Sequence, residues 1–91
     1  MNKVDAKNEV AAAVQLALAA NLTLQHLEIT DDSSKHTKHK HFNESKKYFT
    51  IKITALEFVD KSLLECHRMI YLYLDDLMAS SIHALSIKII K

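Results

Sequence analysis

The chain has 91 residues, with 12 Lys and Arg against 11 Asp and Glu, six histidines, one cysteine, and neither glycine nor proline. That length suits one domain with a small core, and a formal charge of +1 gives no general pull toward nucleic acid or acidic membranes. A single cysteine, Cys66, excludes an internal disulfide framework, and the lack of glycine removes the P-loop and dinucleotide-binding motifs.

Without glycine, any turn that needs positive φ must use other residues at some strain. Asn21, Asp31, Asp32, Asn43 and Asp60 stand where such turns are expected. One cysteine and no disulfide fit a cytoplasmic, reducing compartment. The run AAAVQLALAA is interrupted by Gln15 and follows the acids Asp5 and Glu9, so it does not read as a secretion signal. It is also too short to span a membrane.

Residues 4–20 have the period of an amphipathic helix, with Val10, Val14, Ala17 and Leu18 on one face. Asn21 is the expected stop. Leu24 to Thr30 alternates as a strand, Leu27 and Ile29 facing inward. Residues 31–46 hold no apolar period and read as a mobile loop, long for so small a domain.

Lys47 to Thr54 is the second strand, with Phe49, Ile51 and Ile53 on one face and Tyr48, Thr50, Lys52 and Thr54 on the other. After a short connection, Ser62-Leu63-Leu64-Glu65 is a capping box that opens a second helix. The helix is expected to run to about Ala79 with Leu63, His67, Ile70, Leu74 and Leu77 inside. Ile82 to Ile90 forms the last strand, Leu85, Ile87 and Ile89 facing inward. The order is α-β-β-α-β, an α+β domain over residues 1–91 with two helices on one face of a three-stranded sheet.

Histidines carry the functional signal. His83 stands at the start of the last strand, His67 lies on the inner helix stripe, and His36, His39 and His41 fall in the loop run KHTKHKH. Separate histidines on a small fold suit capture of a ligand better than turnover. His67 reads as a structural histidine that needs a hydrogen-bond partner. Lysines among the loop histidines repel a bound cation, which disfavours a dedicated zinc site. No nucleophile–base pair is evident, because Cys66 and His67 are adjacent on a helix and do not face each other. The chain is therefore not expected to be an enzyme.

Three blocks, HLEITDDSSKH at 26–36, FVDKSLLECHRMIY at 58–71 and IHALSIK at 82–88, resemble the BolA family in content, order and spacing. The resemblance implies a fold similar to the class II KH domain. It implies partnership with a monothiol glutaredoxin and a bridging 2Fe–2S cluster shared with glutaredoxin and glutathione. Its roles would be iron–sulfur trafficking or iron sensing, and in some members transcriptional regulation through DNA. It also implies metal ligation by His83 and by a loop residue, here His36 with His39 as the alternative. Arg68, Lys35 and Lys38 are the expected partner contacts, and the isolated chain is expected to be a monomer. The sequence departs from the family pattern at Asp60, Cys66 and Tyr48, where the family commonly has Gly, Arg and His.

A KH-like regulator that binds nucleic acid is the other reading. A KH domain grips single strands through a GXXG loop, which a chain without glycine cannot form. Loop lysines and Lys52 would have to supply that contact, with strong salt dependence.

Overall fold

In the computed structural model, residues 8–32 and 47–91 are described. The first helix, α1 (Glu9–Asn21), is capped by Asn8, whose side-chain oxygen accepts from the Ala11 N–H at 3.0 Å. The same side chain donates to Asp31 Oδ2 at 2.7 Å. One asparagine thus satisfies a helix N–H and ties the start of the helix to the end of the first strand. Ala11, Val14 and Leu18 are buried, while Val10 and Ala17 pack at the margin of the core.

β1 (Leu24–Asp31) pairs antiparallel with β2 (Lys47–Ala55), Ile29 opposite Ile51 and Leu27 opposite Ile53. A 3₁₀ turn, Leu56–Phe58, follows and buries Phe58. The Glu57 carboxylate accepts from the Thr23 backbone at 2.8 and 3.0 Å and from its hydroxyl at 3.0 Å. This joins the α1–β1 connection to the turn after β2. The Thr23 N–H first, and the Glu57 N–H next, hold the Glu57 carboxyl below its ordinary pKa.

α2 (Leu63–Tyr73) is capped by Ser62, whose Oγ accepts from the Glu65 N–H at 3.1 Å. The helix does not continue to Ala79. Leu74 leaves helical geometry at φ −102°, ψ 11°, and α3 (Asp75–Ser80) begins after it. Asp75 and Asp76 then occupy a new first turn, where negative charge is favoured. Leu74 stays fully buried at the break.

The inner stripe of α2 also differs from the sequence expectation. It runs through Cys66, Ile70 and Leu74, at intervals of four, and all three are fully buried. Leu63 is 59% exposed. His67, one residue on from Cys66 and so about 100° around the helix, lies half-buried. Cys66 fits the core because a free thiol packs as a small apolar group.

β3 (Ile82–Ile89) pairs parallel with β2, giving the sheet order β1-β2-β3. The β2–α2–α3–β3 path is the crossover that parallel neighbours require. Phe49, Ile51 and Ile53 of the central strand are buried beneath the helices. Leu85, Ile87 and Ile89 pack at the margin of the same core. The described residues form an α+β fold with a mixed three-stranded sheet. None of the described residues has positive φ, so Asn21, Asp31, Asp32 and Asp60 turn the chain without that strain. No helix among the described residues is long and apolar enough to cross a membrane.

Candidate functional site around His83

Two inward positions of β3, Ile82 and Leu85, are three residues apart, which strict alternation does not allow. The ladder resolves this with a register shift. Lys47 pairs with Ile82, but Tyr48 pairs with Ala84. His83 is the extra residue of this bulge. Bulges re-aim side chains and commonly sit beside functional sites. Here the side chain of His83 is exposed while Ile82 remains in the core.

Tyr48 belongs to the outer face of β2, opposite to Phe49, yet it is only 5% exposed. Its ring lies against the His83 imidazole, with centroids 4.9 Å apart and planes inclined at 49°. The contact braces an otherwise free ring. Tyr48 is the residue of this site that sequence reasoning missed. Alternation put it only on the face opposite Phe49, and the bulge is what brings His83 against it.

The two ends of the segment 33–46 are anchored at the same place. The Asp32 N–H donates to the Tyr48 carbonyl at 2.6 Å, and the Lys47 N–H donates to the Ser81 carbonyl at 2.9 Å. The Thr50 hydroxyl also donates to Asp32 Oδ2, and Lys47 Nζ lies 3.9 Å from Asp31 Oδ2. The chain therefore leaves and re-enters the sheet beside the Tyr48–His83 pair. His36, His39, Lys35 and Lys38 themselves lie outside the described residues.

Arg68 is exposed on α2 and His67 is half-buried there. Among the described residues, no group of three His, Cys, Asp or Glu side chains could hold a metal ion. What the described residues offer at this corner is one oriented, exposed imidazole. Such a donor suits a metal site completed by ligands from elsewhere and does not by itself enclose an ion. Cys66 does not contribute. Its Sγ is buried, 4.0 Å from the Phe58 carbonyl.

The fold and this corner define a small α+β domain whose last strand opens on an outward histidine. The sequence profile described as BolA-like protein matches residues 18–91, and the chain belongs to that family. The BolA domain of SufE1 from Arabidopsis thaliana is 32% identical over 90% of this chain and 91% of its own, with a TM-score of 0.79. BolA1 from Arabidopsis thaliana is 27% identical over 90% of each chain, with a TM-score of 0.77. A bol-like protein from Babesia bovis is 25% identical over 87% of this chain and 80% of its own, with a TM-score of 0.70. A search of curated proteins gave no match.

Proposed function

We propose that this chain is a non-enzymatic adaptor that docks on a monothiol glutaredoxin and co-ligates a bridging 2Fe–2S cluster. His83 supplies one imidazole, and His36, or His39 in its place, supplies the second from the loop. Arg68, Lys35 and Lys38 contact the partner. The role is iron–sulfur trafficking or iron sensing. The observation that supports this reading most is the exposed His83 on its bulge, braced by Tyr48 and flanked by both ends of the loop segment.

The chemistry of the donors fits. A bridging cluster requires four ligands in all, and histidine can replace cysteine on one iron. Two imidazoles from this chain leave the other positions to partner and glutathione thiolates. An imidazole ligates only while unprotonated. Ligation through imidazole is thus weaker than through thiolate in acid, which suits transfer better than storage.

The test is reconstitution with a monothiol glutaredoxin, glutathione, iron and sulfide, followed by visible absorption and circular dichroism. The wild type should give a spectrum distinct from that of the glutaredoxin homodimer, and His83→Ala should abolish the difference. His36→Ala and His39→Ala identify the loop ligand. A homodimer spectrum in every mixture defeats the proposal and leaves salt-sensitive DNA binding as the reading to pursue.

A further inference from the structure

β3 lies at one edge of the sheet. The Ile90 N–H donates to the Ile53 carbonyl at 2.9 Å, and the register pairs Ile51 with Ile87 and Lys52 with Lys88. Backbone groups of successive residues in a strand turn alternately to its two sides. Even-numbered residues from Ala84 to Ile90 therefore address β2. The N–H and C=O of Leu85, Ile87 and Ile89 point away from it, to a side where no strand pairs among the described residues.

α2 flanks this edge. The Tyr71 hydroxyl donates to the Leu85 carbonyl at 3.2 Å, which agrees with that carbonyl facing outward. At the other end, the Lys91 ammonium donates to the Lys61 carbonyl. The helix thus runs antiparallel alongside β3. Leu64, Arg68 and Tyr71, at i, i+4 and i+7, share one helical face, and Arg68 is exposed between the other two. Leu64 is 60% exposed and Tyr71 41%. Leu64 and Tyr71 are thus two large apolar side chains, with Arg68 between them, exposed on the helix that runs beside β3.

Charge selects the occupant. On the open face of the sheet, Lys52 has Glu28 opposite it on β1, whereas Lys88 has only Lys52. Residues 82–91 include Lys88 and Lys91 and no acid. Among the described residues no ion pair engages Lys88. A second copy adding its own β3 would bring another Lys88 into the same patch, and like charges across strands repel. An acidic residue there is attracted.

We infer that the free edge of β3 is a strand-addition site for an extended segment of a partner protein. The segment alternates. Apolar residues face α2 against Leu64 and Tyr71, and an acidic residue on the other face lies beside Lys88. Backbone bonds to Ile87 and Ile89 supply attachment, and alternate side chains supply selectivity. The site centres on Ile87 and Ile89, beyond His83 along β3, and needs no metal.

The test uses the full chain alone, observed by amide NMR and hydrogen exchange during titration with two short peptides. One alternates valine with glutamate, the other valine with lysine. With the glutamate peptide, the Ile87 and Ile89 amides should shift and become protected, and the lysine peptide should bind more weakly. Lys88→Glu should weaken the glutamate peptide roughly fivefold and reverse the preference. Because Lys88 is exposed, this variant should fold. Protection that maps elsewhere, no binding of either peptide, or a preference unchanged in Lys88→Glu overturns the inference.

Discussion

The Tyr48 ring and the His83 imidazole lie 4.9 Å apart, centroid to centroid, although the ladder pairs Tyr48 with Ala84 and not with His83. The extra residue in β3 makes this contact. It keeps Ile82 and Leu85 in the core while the intervening histidine turns outward against a buried ring. A side chain held this way loses less freedom on engaging a partner group than a mobile one does.

Tyr48 should therefore support both the fold and the histidine. Tyr48→Ala removes a buried aromatic side chain and should cost about 3–5 kcal/mol in urea unfolding. Tyr48→Phe retains the ring and should leave the His83 ring-proton resonances nearly in place, while Tyr48→Leu should move them. Unmoved resonances in Tyr48→Leu would mean that the ring does not set the environment of His83.

The true inner stripe of α2 predicts an unequal pair of substitutions. Ile70→Ala should cost about 2–5 kcal/mol, because Ile70 is fully buried. Leu63→Ala should change stability by no more than about 0.5 kcal/mol, as expected for an exposed site. Equal losses in chemical denaturation would restore Leu63 to the stripe.

Cys66 should behave as a core residue and not as a reactive thiol. It is fully buried, and reaction requires an accessible thiolate. Labelling of the native protein by a thiol reagent should be slow and should accelerate with urea in step with unfolding. Fast labelling without denaturant would contradict this placement.

Glu57 gives the fold a defined acid response. Its pKa is held down in the folded state, chiefly by the Thr23 N–H. A carboxyl depressed on folding stabilises the native state at pH above its unfolded value, and this contribution is lost as pH falls through the folded value. Glu57→Gln should therefore lower Tm at neutral pH. The difference from wild type should shrink below the ordinary glutamate range. A difference that stays constant across that range would show that the charge of Glu57 plays no part.

The Ser62 cap has a more ordinary signature. Ser62→Ala should cost about 1 kcal/mol, while Ser62→Asp should retain most of the stability. Thermal unfolding of the two variants separates the cap bond from simple helix propensity.

Most of the fold was legible because local rules and tertiary packing agreed. Alternation in Leu27 to Ile29 and in Phe49 to Ile53 marked the buried face, and both stretches are strands with those residues inside. The capping box placed the start of α2 at Leu63. The helix stripe was misread because a lone cysteine carries little hydrophobic weight, whereas Leu63 carries much. The break at Leu74 was hidden because neither glycine nor proline marks it.

The candidate site was legible only in part. The last block of resemblance marked His83, and the structure puts it on an exposed bulge at the start of β3. Tyr48 was absent from the expected site, since its contact depends on a register shift between strands far apart in sequence. His36 and His39 lie outside the described residues.

By itself, the sequence determined the order of the strands and of the helical regions between them, the buried faces of the first two strands, the cap of α2 and the family. These follow from periodicity, side-chain chemistry and motif, all of which are local along the chain. Tertiary structure alone decided the rotation of the α2 stripe toward Cys66, the bulge that turns His83 outward, and the direction of the free backbone groups of β3. Each depends on how separate segments pack and pair, and a one-residue change of register alters which side chains face each other.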